Sequence, residues 1–374
     1  MKAVLVVCGK LSVGGAERVC RNIGYYADSN FFQVDYLVFG KDVGAYEEAL
    51  LSKGCRIYHW DPPGENHLAY YQNLRRLIRE NRYDIVHSHT MFNSGIVLLA
   101  AKRCAVPIRI AHSHSICGPE HRSFMQSFYE KSMRKLILRS ATHYIGCGQA
   151  AGEWLFGQQA FREKGLVLLN GIELEQFRYD SVQRAKIRSA NGWENKLVIG
   201  HTGHLAAVKN QMFLLRLMPK ILERQPNAHL VLLGEGADRA MLEQTVQDLK
   251  LEKVVTMPGN VNNVNEYLSA FDVFAFPSLY EGMPLSILEV QANGLPCIIS
   301  DRVPKDVFLT DLLRPCSLEA PAPWIEQILA ARRHAPERYL LEMQNTSADI
   351  HHMLTTVYQI YQDGQSEYGL AHNH

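Results

Sequence analysis

The sequence predicts an α/β protein of two doubly wound, Rossmann-like parallel-sheet domains in tandem. Three observations carry this. Short apolar runs alternate with amphipathic stretches along the chain, the pattern of repeated βαβ units with right-handed crossovers. The rhythm breaks near residues 170–180 and restarts at Leu197. The length, 374 residues, is long for one domain and comfortable for two.

In the first domain AVLVV (3–7), VDYLVFG (34–40), DIVHSH (84–89), IRIAHSH (108–114), THYIGCG (142–148) and LVLLN (166–170) read as strands. Residues 16–28, 70–81, 94–104 and 123–140 carry helical spacing between them. In the second domain the strands are LVIGHTG (197–203), HLVLLGEG (229–236), VVTMPG (254–259), VFAFPS (273–278) and PCIIS (296–300). Helices are expected at 210–225, 238–250, 264–271 and after Pro284. The domains are therefore set at 1–170 and 171–349, with a last helix at about 350–366 returning to the first. Open α/β sheets bind ligands beyond the carboxyl ends of their strands, so two such domains are expected to face those ends into an interdomain cleft.

Composition narrows the function. With 47% hydrophobic and 21% charged residues the chain reads as an ordinary globular protein. No apolar run reaches the roughly 18–20 residues of a membrane helix, and MKAVLVVCGK reads as a buried first strand rather than a leader. The eight cysteines form no Cys-x-x-Cys pair, which fits reduced thiols and a cytoplasmic location. Residues 1–170 hold 21 Lys/Arg against 14 Asp/Glu (+7), leaving 18 against 24 (−6) in the remainder. An anionic partner of the basic half, phosphate or a lipid surface, is one reading and chance asymmetry the other. No nucleic acid is expected.

The segment SLYEGMPLSILEVQANGLP (278–296) holds the chemistry. Pro284 suits a first helical turn, Gly294 a left-handed cap, and Pro296 forbids continuation. Glu281 then lies in the loop at a strand's carboxyl end, and Gly282 lets the backbone approach a ligand. Free amides of Met283, Pro284's successor Leu285 and Ser286 make an anion site with the helix dipole. Glu289 sits deeper on the helix, able to accept hydrogen bonds from a ribose diol. A carboxylate on either side of an anion pocket suits a nucleotide-sugar. A dinucleotide fingerprint is not met: Arg239 stands at the third glycine position after Gly234 and Gly236.

These residues bear a wider likeness. Glu281, seven residues, then Glu289 resembles the E-x7-E motif of retaining glycosyltransferases of the GT-B fold, family 4. So do GGAER (14–18), DIVHSH, AHSHS (111–115), NGIELEQF (170–177), GHTGHLAAVKN (200–210) and VYQIYQ (357–362). Their order is similar to that of bacterial capsule and exopolysaccharide transferases, over nearly the whole chain. The resemblance implies that Glu289 holds the ribose and Glu281 the donor sugar's hydroxyls. The helix start at 282–286 takes the distal phosphate and Lys209 the diphosphate. Gly14 and Gly15 approach the donor phosphate, although a simple turn explains them equally well. His204 stands where the family usually has arginine. Lys209 sits at a helix start, where the dipole disfavours a cation, so an anionic partner is expected.

His112 and His114 end one strand, His87 and His89 another. Period-two alternation is expected to turn one of each pair toward the cleft, and the resemblance implies that His114 is the active-site histidine. The two His-x-His pairs could ligate a metal, but no carboxylate cluster accompanies them and no Asp-x-Asp occurs. No metal or other cofactor is therefore expected. Residues 122–139 interleave Arg122, Lys131, Arg134, Lys135 and Arg139 with Phe124, Phe128, Tyr129 and Leu136. This segment could rest on an anionic membrane at the inner face of the cell membrane, or be an ordinary packed helix.

The expected reaction is retaining transfer of a sugar, with UDP the family's commonest donor nucleotide, to a hydroxyl of a glycan or lipid-linked glycan. Two alternatives stand beside it: a nucleotide-sugar epimerase of the same fold, and a weakly catalytic nucleotide-sugar-binding partner in a polysaccharide assembly complex.

Overall fold

A computed structural model describes residues 1–12, 14–62, 64, 66–114 and 123–364. Ser115 and Arg122 of the motifs above, and positions 365–366 of the expected last helix, lie outside the described residues. The chain divides into two compact units. One is Met1–Gly171 together with the helix Ile350–Asp363; the other is Ile172–Asp349.

The first unit is a seven-stranded parallel sheet. Its strands are β1 (Lys2–Val7), β2 (Phe32–Phe39), β3 (Arg56–Trp60), β4 (Ile85–Ser88), β5 (Ile108–Ser113), β6 (His143–Gly146) and β7 (Gly165–Val167). The spatial order is β3-β2-β1-β4-β5-β6-β7, so the order reverses between β1 and β4. The side-chain period of two sends Val4 and Val6 to one face and Leu5 and Val7 to the other. All four are fully buried. The helix Ile350–Asp363 belongs to the first of these layers: Met353, Val357, Ile360 and Tyr361 pack with Val4, Val6 and Ile23. Lys2 Nζ also donates to the Tyr361 carbonyl at 2.9 Å.

The second unit has six parallel strands: β8 (Leu197–Thr202), β9 (Ala228–Leu233), β10 (Val255–Gly259), β11 (Val273–Phe276), β12 (Cys297–Ser300) and β13 (Leu313–Cys316). Their order is β10-β9-β8-β11-β12-β13, with the reversal between β8 and β11. At the amino edge of this sheet, Arg184 Nη2 and Arg188 Nη1 both donate to Asp272, at 2.5 and 3.0 Å. Asp272 also accepts from the Val198 amide at 2.8 Å. These bonds fasten the helix Ser181–Asn191 to β8 and β11.

Two strands were not legible. Edge strand β3 carries Arg56 and His59, both exposed. Edge strand β13 reads Leu-Arg-Pro-Cys, and proline is tolerated only at such edges or at bulges.

Candidate active site

The carboxyl edge of the second sheet gathers most of the expected donor residues at the β8/β11 reversal, where ligands bind in open sheets. β11 ends at Phe276 and the loop to the helix Leu285–Ala292 carries Glu281. β8 ends at Thr202 and leads through His204 to a short 3₁₀ turn, Ala207–Lys209. The two loops are tied together. Leu279 N donates to the Val208 carbonyl at 2.8 Å, and Asn210 Nδ2 to the Pro277 carbonyl at 3.2 Å.

This tie places Lys209 Nζ 2.7 Å from Glu281 Oε1. The ammonium also lies 5.0 Å from the centroid of the Phe276 ring, a cation–π distance. The anionic partner expected of Lys209 is thus supplied within the chain. Both side chains are mostly buried, 17% and 12% exposed. Removing either partner should cost about 1–3 kcal/mol through the charge left behind.

Glu289 lies one turn inside the helix and is 6% exposed. Pro284 takes the N-cap position rather than the first turn, since the helix begins at Leu285, a shift of one residue. Met283 is buried, while Gly282 and Ser286 are partly exposed around the helix start. At the other end Gly294 adopts the left-handed region with φ +64°. Ser278 Oγ is fully buried and unpartnered.

Sequence reasoning missed the scaffold beneath these groups. His201, fully buried on β8, donates from Nδ1 to the Ala275 carbonyl on β11 at 2.9 Å. Its Nε2 accepts from Gln211 at 3.2 Å, and Gln211 donates also to the His204 carbonyl at 2.9 Å. One chain of bonds therefore runs from β11 to the backbone of His204. Burial holds the His201 imidazole at about 4, against the opposing hydrogen bond to Ala275, so it is neutral near pH 7. Loop contact is tight here as well: a Cβ on Gly234 would lie 2.0 Å from the Gly203 carbonyl oxygen.

The first unit holds the other candidates. Gly14 is the N-cap of the helix Gly15–Tyr25. The Glu17 carboxylate folds back over it, so that a Cβ on Gly14 would lie 2.1 Å from Glu17 Oε2. That carboxylate ends a flexible side chain and Gly14 is extended at φ −176°, so neither contact nor backbone demands glycine here.

The histidines correct the sequence expectation. Residues two apart share a face of a strand, so both members of each pair project together. Ring centroids are 4.1 Å apart for His87–His89 and for His112–His114. Across the strands His87 meets His112 at 5.4 Å and His89 meets His114 at 5.0 Å. His114 Nδ1 donates to Asn170 Oδ1 at 3.2 Å, which leaves its Nε2 to accept from His89 Nδ1 at 2.7 Å. His87 Nδ1 bonds the Tyr361 hydroxyl at 2.8 Å. Burial drives all four pKa values down, to about 4 for His114. The Nε2 atoms of His89 and His112 are buried without a partner. His87, His89 and His112 bring ligand atoms within 4.8 Å of one another. The planes of the three rings lie within 7–36° of parallel, and His87 Nε2 meets His112 Nδ1 edge to edge at 3.3 Å. A cavity of ≈ 330 Å³ opens beside His89 and His114, lined also by Cys8, Lys10 and Glu17.

In the helix Phe124–Ser140, Phe124, Met125 and Phe128 are exposed by 87%, 81% and 67%, and Lys131, Lys135 and Arg139 are exposed as well. Arg134 is engaged inward, donating to the Leu155 and Trp154 carbonyls at 3.0 and 2.8 Å. Tyr129 bonds Asn93. Among the described residues no helix is long and apolar enough to cross a membrane.

Comparison with known proteins gives a consistent result. Residues 13–176 match the family model for Glycosyltransferase Family 4, and residues 183–308 that for Glycosyl transferases group 1. A putative glycosyltransferase of Bacillus subtilis, EpsF, is 36% identical over 348 residues, 91% of each chain. The capsular polysaccharide biosynthesis glycosyltransferase CapH of Staphylococcus aureus is 23% identical, over 89% of this chain and 92% of its own. Among solved structures, Anabaena HepE in complex with UDP superposes with a TM-score of 0.80 at 19% identity, covering 96% of this chain and 99% of that one. HepE in complex with UDP-glucose gives 0.79 at 20% identity, with the same coverage. These structural likenesses establish the fold.

Proposed function

Because this chain belongs to the family 4 glycosyltransferases of the GT-B fold, we propose that it moves a sugar from a UDP-sugar to a hydroxyl of a glycan or lipid-linked glycan, with retention of anomeric configuration, in cell-surface polysaccharide biosynthesis. The observation that carries this reading is the mostly buried Lys209–Glu281 pair beside the amino end of the helix that bears Glu289. UDP bound in HepE and the capsular role in the name of CapH support the choice of donor and pathway.

In this reading the diphosphate sits against the free amides at residues 283–286, where the helix dipole favours negative charge. Lys209 turns from Glu281 toward the distal phosphate and stabilises the charge that builds as the nucleoside diphosphate leaves. Glu281, released from the ammonium, accepts hydrogen bonds from the donor sugar. Glu289 accepts from the ribose. His201 and Gln211 hold the backbone of His204 in place, which makes them positioning residues. Charge neutralisation by Lys209 and the amides supports transfer without a metal. Attack on the same face as departure, guided by the leaving phosphate, gives retention without a carboxylate nucleophile. The exposed Phe124, Met125 and Phe128, with Lys131 and Lys135 following, support contact with an anionic membrane surface.

A thermal-shift screen of nucleotide-sugars tests the donor assignment, since a ligand of the folded state raises the melting temperature. UDP-sugars should raise it, equally with and without EDTA. Stabilisation only by other nucleotides, or only with divalent cations, contradicts the reading. NMR of the product's anomeric proton tests retention.

A further inference from the structure

A second feature of the first unit is not used by that reaction. β3, the edge strand, ends in Trp60, and the helix His67–Asn81 follows a short loop. Between them lies an open groove of ≈ 740 Å³, in the size range of pockets for extended small ligands. Asn66, Tyr70 and Asn73 fall at helical spacings of four and three, so one face of the helix lines the groove together with Arg76. Trp60 and Asp61 line the opposite side.

The chemistry of this lining is particular. Trp60 is half-buried and meets Tyr70 edge-on, with ring centroids 6.0 Å apart and planes at 90°. Tyr70 is 7% exposed, and its hydroxyl is buried with no hydrogen-bond partner. A buried hydroxyl without a partner costs free energy. Asn66 caps the helix through Oδ1, which accepts from Ala69 N at 2.9 Å, leaving its Nδ2 protons available. Arg76 Nη2 donates to Asn73 Oδ1 at 3.3 Å, which leaves the Asn73 Nδ2 protons available too. Among the described lining residues Asp61 and Arg76 offset one another in formal charge.

We infer that this groove is a subsite for a neutral sugar residue of the acceptor glycan. An indole ring meets the C–H face of a hexose, while amides, a guanidinium and a carboxylate meet its vicinal hydroxyls. The groove stands at the carboxyl edge of the sheet, the ligand side. It lies three strand spacings from β4, roughly 14 Å at about 4.8 Å per spacing. That span reaches the β4 end that carries His89, and His114, after β5, stands one strand spacing farther, so more than one sugar ring lies between. The acceptor is therefore an oligosaccharide, recognised at a residue some way back from the hydroxyl that is attacked. This inference rests on the glycosyltransferase reading.

Saturation-transfer NMR on the full chain with chitotriose, cellotriose and maltotriose tests it, with UDP-induced thermal stabilisation measured on the same samples. The unmodified protein should transfer saturation to at least one trisaccharide. Trp60→Ala should abolish the transfer, and the surface change Asn73→Ala should weaken affinity roughly tenfold, the cost of losing one good contact. UDP stabilisation should be unchanged in both variants. No transfer to any trisaccharide, or transfer unaltered in both variants, overturns the subsite while leaving the donor site standing. Absence of UDP stabilisation in the unmodified protein would instead contradict the UDP-donor reading.

Discussion

At the residue scale, the donor site turns on how one ammonium divides its attention. Lys209 pairs with Glu281 across 72 positions of sequence, and a diphosphate must compete for it. Glu281→Gln keeps the shape but frees Lys209 and removes the acceptor for sugar hydroxyls. It should lower kcat about 10²-fold, with a smaller change in UDP affinity, as expected for a contact strengthened in the transition state. Steady-state kinetics beside a UDP titration check this; an equal loss in both would move Glu281 into ground-state binding. His204→Arg adds a fixed positive charge at a position the Gln211 bond holds. It should tighten UDP binding, measurably more at low salt than at high salt. The two glutamates were legible in the sequence because strand end, loop and helix start are contiguous there. The roles of His201, Gln211, Asn170 and Tyr361 were not, because each is defined by a partner brought up by another element.

At the element scale, strands with buried faces announced themselves as apolar runs, and many helices by their spacing, while Gln149–Phe156, Gln158–Lys164, Pro321–Ala330 and Pro336–Gln344 went unread. Strands β3 and β13 did not, since an edge strand tolerates arginine, histidine and proline. The strand period was misapplied to the histidines: two residues apart means one face, and the result is a ladder of four imidazoles across β4 and β5. That ladder has a consequence for stability. Each of the four is harder to protonate folded than unfolded, where histidine titrates near 6.5. As pH falls through about 6.5 the unfolded chain takes up protons that the folded chain refuses, so stability is full above that value. It is lost progressively toward about 4, where His114 itself protonates. The urea midpoint should fall between about pH 7 and pH 5. A flat midpoint over that interval would contradict neutral, buried imidazoles.

At the scale of the whole molecule, two parallel sheets each place their order reversal where loops can carry chemistry, β1/β4 in one and β8/β11 in the other. Exposed Lys131, Lys135 and Arg139 stand behind the apolar end of their helix, among other exposed basic residues of the first unit such as Arg76, Arg79, Lys102 and Arg103. Sedimentation with vesicles should recover more protein on anionic than on neutral lipid, and less in high salt. Equal recovery on both would remove the membrane surface from the account. The donor site itself is tested most directly by calorimetric titration of UDP into the unmodified protein, Glu289→Ala and Lys209→Ala. The account predicts one site per chain, with affinity lower by about tenfold or more in each variant. UDP binding of unaltered strength in both variants, or no binding to the unmodified protein, would contradict it.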